Sequence, residues 1–116
     1  MCWRSGRRLL AADKRAGMQS FYAERFERDM GCTEAEWLMW LPNAIGDHFW
    51  KLQEHSAGVR IGDGALGLTW HVGEPRVIAL MRIPRLLVSF RFAGLDEAQR
   101  YTFMKRFDLY MQRGGG

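Results

Sequence analysis

Gly62, Gly64 and Gly67 in the stretch GDGALG have the G-x-G-x-x-G spacing that, in nucleotide-binding folds, lets backbone N–H groups wrap a phosphate. That chemistry requires the third glycine to open a helix whose N-terminus faces the anion. It also requires an acidic residue about 20 positions later to hold a ribose. Here residues 68–72 continue in the alternating pattern of a strand, and residues 82–92 contain no acid. The stretch therefore reads as a hairpin. Asp63-Gly64 is its expected two-residue turn, Gly62 supplies backbone freedom, and Gly67 marks a bulge or a point of close packing.

The remaining candidates for chemistry are few. His48 and His55 lie seven positions apart with His71 distant, and no H-E-x-x-H occurs. A metal or acid–base site would need His48, His71 and Asp47 or Glu54 to converge from adjacent strands. Cys2 and Cys32 have no paired spacing, and Cys32 is expected to staple onto Trp37 across a helix start. Ser5, Ser20, Ser56 and Ser89 stand outside any G-x-S-x-G setting. No metal, no cofactor and no catalytic set is expected, and the reading leans away from an enzyme. Arg76, Arg82, Arg85 and Arg91 follow one another without an intervening acid, interleaved with Phe90 and Phe92. Such a sheet could stack bases, but the aromatic motifs and element order of RNA-recognition sheets are missing, so a charged outer face is preferred and nucleic acid stays an alternative.

These residues need a scaffold, and 116 residues at 47% hydrophobic, with five Trp, seven Phe and seven Met, suffice for one core. No run approaches the roughly 20 apolar residues of a membrane helix, and no secretory signal is evident, so a cytoplasmic protein without a membrane is expected. The formal charge of +4 resides in residues 1–17, where Arg4, Arg7, Arg8, Lys14 and Arg15 face only Asp13. These residues read as a basic, disordered leader, with Met18 as an alternative start and 18–116 as a single domain; the alternative is an arm that binds nucleic acid, together with the strand arginines, or a membrane. Inside that domain, residues 18–74 carry four basic and nine acidic groups and residues 75–116 eight and three. This −5/+5 split is read first as two halves lying against each other and second as a bipolar surface that promotes self-association.

The pattern predicts an α+β domain. SFYAERFERDMG reads as a first helix capped by Ser20, with Phe21, Tyr22, Phe26 and Met30 as its stripe and Gly31 as its end. A second begins at Thr33, with Glu36 completing a capping box, and Pro42 ends or kinks it, leaving at most one further turn. Four or five strands of an antiparallel meander follow in HFWKLQE, VRIG, ALGLTWHV, RVIALM and LLVSFRF. Leu66, Leu68, Trp70 and Val72, with Leu86, Val88, Phe90 and Phe92, should form its core face. A long C-terminal helix with Asp96 as N-cap and Gln99 in a second capping box then packs on the sheet through Phe103, Phe107, Tyr110 and Met111.

PRVIAL and FMKRFDLYMQRGGG resemble the end of a small bacterial family of uncharacterised proteins, a resemblance that implies no activity. The element order, with EWLMWLP leading into the sheet, is similar to the later part of START-like helix-grip proteins. That second resemblance implies a cavity for an apolar ligand between sheet and last helix. The expected function is a non-catalytic interaction protein that associates with itself as a homodimer. The alternative is a carrier of a small apolar ligand lined by Trp37, Trp40, Trp50, Trp70, Phe103 and Phe107.

Overall fold

A computed structural model of the chain describes residues 3–5 and 21–115. Its elements are β1 (Trp3–Ser5), β2 (Arg25–Met30), α1 (Glu34–Ile45), β3 (Trp50–Leu52), β4 (Ser56–Ile61), β5 (Gly64–Val72), β6 (Arg76–Ile78), β7 (Met81–Ile83), β8 (Leu86–Ala93) and α2 (Glu97–Gly115). Of the expected leader, residues 3–5 form β1; the rest of it, with Cys2, Met18 and the expected cap Ser20, lies outside the described residues.

The expected first helix is instead strand β2, paired antiparallel with β8 from Arg25 opposite Arg91 to Met30 opposite Leu86. Phe26, Arg28 and Met30 turn toward the core and Arg25, Glu27 and Asp29 away from it. The period of two is hidden in the letters because its middle inward position is an arginine. Arg28 is buried by a forked pair of hydrogen bonds to Asp108 of α2, at 2.5 and 3.1 Å, with its guanidinium over the Phe26 and Phe90 rings. A charge placed inward can only be accommodated by a partner from elsewhere in the fold.

α1 starts as the sequence predicts. The Thr33 hydroxyl accepts from the Glu36 backbone N–H at 3.1 Å and the Glu36 carboxylate accepts from the Thr33 N–H at 3.0 Å, closing the capping box. The helix passes through Pro42, whose carbonyl accepts from Gly46 at 2.9 Å, and Gly46 at φ 77° ends it. Trp37, Leu41, Ala44 and Ile45 form its buried stripe. α2 opens with the second capping box, Asp96 and Gln99 exchanging bonds of 2.8 and 3.0 Å. Phe103, Met104, Phe107 and Met111 are buried and Tyr110 is partly buried.

The six-stranded antiparallel sheet has the order β1-β2-β8-β5-β4-β3. β3, β4, β5 and β8 form the meander, and β2 returns to the far flank of β8. The core lies on one face, where Leu66, Leu68, Trp70, Leu86, Val88, Phe90 and Phe92 meet both helices. Phe90 makes edge contact with Phe107 at 5.6 Å and Trp37 with Trp70 at 5.4 Å. Val72 departs from the expected core face and is exposed, because it ends β5 beyond the helices.

The glycines of GDGALG serve the hairpin, one position earlier than expected. Ile61 pairs with Gly64, so the two-residue loop is Gly62-Asp63, with Gly62 at φ 54°. Gly64 is the close approach: a Cβ there would fall 2.4 Å from the Ala93 carbonyl oxygen. Gly67 is neither bulged nor crowded; it pairs in register with Gly58, and its added Cβ would meet nothing nearer than 3.8 Å.

Candidate interaction site

RVIALM, expected as one strand of the meander, is divided between two strands of a separate sheet. Gly73 donates to the Arg85 carbonyl at 2.9 Å, one step beyond the last β5–β8 pair, Val72 with Leu86. Pro75 and Pro84 then stand on the two chains, and neither can donate to a ladder. Pairing resumes as Arg76–Ile83, Val77–Arg82 and Ile78–Met81, one residue out of step with the β5–β8 register. The ribbon is thus a continuation of β5 and β8 past a proline-flanked bulge, turned by a two-residue loop in which Ala79 adopts φ 55°.

This arm carries apolar side chains that no other described residue covers. Val72, Val77, Ile78 and Met81 are exposed, and Leu80 at the tip is 99% exposed. Ile78, Met81 and Ile83 share one ribbon face with Arg76. That face belongs to the side of the molecule away from the helices, because Arg76 and Arg85 both reach Asp29 on the outer face of β2. Arg85 makes the closer contact, with Nε 3.0 and 3.1 Å from the two carboxylate oxygens. These bonds, with Gly73 packed on Leu87, root the arm against the sheet.

At that root the outer face is hollowed into a groove of about 520 Å³, lined by Glu27 and Asp29 of β2, Leu87 and Ser89 of β8, and Thr69 and His71 of β5, with the intervening Arg28 and Val88 also bordering it. The register explains the lining. Glu27, Ser89 and Thr69 form one row across three strands, and Asp29, Leu87 and His71 the next. A period of two sends all six to the face that the helices leave uncovered.

Two polar nodes hold the helices to the sheet. At the start of α1, Glu34 accepts from Trp70 Nε1 and pairs with His55 Nδ1, both at 2.8 Å. The Trp70 bond, then the His55 bond, holds its carboxyl below the usual carboxylate range. At the other, Asp108 accepts from Arg28 and from the Tyr22 hydroxyl at 2.9 Å. Burial, then the Asp108 carboxylate, pushes the Tyr22 hydroxyl above its ordinary value.

The residues singled out from the sequence are dispersed. Trp37, Trp70, Phe103 and Phe107 are buried in the core, with Trp40 and Trp50 packed partly buried against it. Phe103 also lines a second concavity of about 400 Å³ at the start of α2, with His48, Ile61, Ala98, Gln99, Thr102 and Arg106. Arg76 and Arg85 converge on Asp29, Arg82 lies on the arm, and Arg91 faces Arg25 across the outer sheet. The three histidines stay apart: His48 lies against Phe103, His55 on Glu34 and His71 in the groove. Among the described residues no group of three or more His, Cys, Asp and Glu could hold a metal, and no helix is long and apolar enough to cross a membrane. Sequence reasoning passed over Glu27, Glu34, Arg28 and Asp108. For Glu34, the signal was its place in the first turn of a capped helix; for Arg28, the period of two in FERDM.

Comparison of the chain with protein-family models, with curated proteins and with solved structures finds no match.

Proposed function

We propose that this protein is a non-catalytic interaction module that associates with itself through the β6–β7 arm. The observation that carries this reading is the arm itself. An isolated two-stranded ribbon is marginal in water, yet this one projects Val77, Ile78, Leu80 and Met81 away from the hydrophobic core of the described residues. Covering such side chains contributes roughly 1.5–3 kcal/mol each when complete. Contiguous exposed apolar surface on a small domain is the mark of an interface. Of the −5/+5 charge split, Arg85–Asp29 pairs one majority charge from each half within the fold, whereas Arg28–Asp108 pairs one minority charge from each, so the two ion pairs together leave the split unchanged. Sedimentation velocity across the micromolar range tests the proposal. A dimer is expected for the wild type and a monomer with unchanged circular dichroism for Leu80→Glu; a wild type that stays monomeric at high micromolar concentration overturns it.

A second reading, a carrier of a small apolar ligand, draws support from the concavity beside Phe103 and Ile61. Native mass spectrometry of protein purified without added ligand tests it. A discrete extra mass that is lost on denaturation supports the carrier, and a clean protein mass overturns it.

A further inference from the structure

The open face of the six-stranded sheet carries another surface, beside the groove and away from the arm. β3 packs Trp50 against the core, so the period of two turns Phe49 and Lys51 outward. The Phe49 carbonyl accepts from the Arg60 N–H at 2.8 Å, which continues the β3–β4 register by one step. Two outward rows follow from the pairing. One is Phe49, Arg60, Ala65 and Ala93; the next is Lys51, Gly58, Gly67, Arg91 and Arg25. Neither row contains an acid, and Glu27 and Asp29 of the same face lie nearer the arm.

We infer that these two rows form a platform for single-stranded nucleic acid, with a base stacked on Phe49 and phosphates held by Lys51, Arg60, Arg91 and Arg25. The platform goes beyond self-association and does not rest on it, since none of its residues belongs to the arm.

Three observations select this occupant. The first is the ring. Phe49 is 70% exposed on the sheet face that the helices leave uncovered, with Lys51 beside it on its own strand and Arg60 across from it. An exposed ring among cations is the means by which sequence-tolerant sites stack the bases of a single strand. A duplex keeps its bases stacked inside and offers none to the ring. The second is charge. Lys51, Arg60, Arg91 and Arg25 are exposed and, among the described residues, none of the four is in an ion pair. Arg25 stands directly opposite Arg91, where like charges repel each other. Both lie on inner strands, so protection of a sheet edge does not account for them. A phosphate between them removes the repulsion. The third is the floor. Between Lys51 and Arg91 the second row is Gly58 and Gly67 alone, leaving roughly 14 Å of bare backbone across the strands. Neither glycine has positive φ, and a Cβ would meet nothing within 4 Å at Gly58 and nothing nearer than 3.8 Å at Gly67. The fold leaves room for side chains at both, and glycine weakens a strand interior, so their use here fits a ligand that approaches the backbone closely.

Fluorescence anisotropy of the full chain with a labelled oligothymidylate about 12 nucleotides long tests the platform. Affinity is expected to fall with salt at a logarithmic slope of about −3, because four cations displace counterions from a single strand. Phe49→Ala is expected to weaken binding about five- to a hundredfold and to leave that slope unchanged. Arg25→Gln/Arg91→Gln is expected to reduce the slope by about 1.4. Gly67→Val raises the floor and is expected to weaken binding while Tm stays the same or rises. All these positions are exposed, and circular dichroism with thermal unfolding checks that each variant keeps the fold. A wild type that does not bind at about 50 mM salt overturns the platform. So does a duplex of equal length bound as tightly as the single strand, or a Phe49→Ala variant that binds as the wild type does. Binding that is unchanged in Arg25→Gln/Arg91→Gln, and lost when Arg4, Arg7, Arg8, Lys14 and Arg15 are replaced by Gln, assigns nucleic acid to the N-terminal segment and overturns the platform as well.

Discussion

The least replaceable side chains are the charged ones that the core has taken in. Arg28 is 3% exposed and its carboxylate partner Asp108 also serves Tyr22, so three residues from β2, α2 and the chain before β2 share one hydrogen-bond network. Removing one member leaves a buried charge without compensation, whereas replacing the pair with apolar groups removes the need for it. Asp108→Ala is expected to cost about 3–5 kcal/mol in urea unfolding, and the double variant Arg28→Met/Asp108→Leu to recover most of that loss. Glu34 behaves differently because it is only partly covered. Its carboxyl is held below the usual range, so the folded protein takes up that proton less readily than the unfolded chain. The stabilisation is therefore complete above the ordinary carboxylate value and is lost as pH falls through the lower, folded-state one. Glu34→Gln should be about 1 kcal/mol less stable than wild type near neutral pH, with the gap closing as pH falls below the usual carboxylate range. Both capping boxes were readable at this scale, since each joins residues three apart. Arg28 was not, since its partner is 80 residues away.

Among the elements, those defined by their own side chains were legible and those defined by a neighbour were not. α1 and α2 carry their start signals locally, and β5 and β8 alternate without interruption at their buried positions. β2 fails the same test because Tyr22, Phe26 and Met30 recur at helical spacing, and only pairing with β8 selects the extended form. RVIALM fails because β propensity says strand and cannot say which sheet. The two glycines of the β4–β5 hairpin separate local from tertiary demands. Gly64→Ala would press its Cβ onto the carbonyl oxygens of Ala93 and Gly94, backbone atoms that cannot swing aside, and should cost about 2 kcal/mol or more. Gly67→Ala stands on an open face in regular strand geometry and should be neutral or stabilising by about 0.5 kcal/mol. Thermal unfolding of the two variants side by side checks the contrast.

For the whole molecule, the arm stands apart from what keeps the domain folded. The hydrophobic core runs from Tyr22 to Met111 and includes no residue of β6 or β7. Replacing residues 74–84 by an Asn-Gly turn between Gly73 and Arg85 would keep the last rung of the β5–β8 ladder and lose the exposed 3.6 Å contact of Arg76 with Asp29 and the exposed 3.1 Å bond from Arg85 Nη1 to the Glu74 carbonyl. At a dilution where wild type and variant are both monomeric, their Tm values should agree within about 4 °C. At high concentration the variant should no longer form dimers. A large loss of stability in the dilute monomer would show instead that the arm supports its own fold.

Local interactions in this protein are written in its sequence: two capped helices, the buried alternation of β5 and β8, and a glycine hairpin in place of a phosphate loop. Each depends on residues two to four apart, where side-chain period and turn chemistry act without the rest of the chain. The tertiary structure decided the rest. It made β2 a strand by supplying β8 as its partner and Asp108 for its arginine, and it filled the core with Trp37, Trp70, Phe103 and Phe107. It also brought Glu27, Leu87, Ser89, Thr69 and His71 from three strands into one groove beside an uncovered arm. Those outcomes depend on which strand lies beside which, and pairing between distant segments leaves no periodic mark on either segment alone.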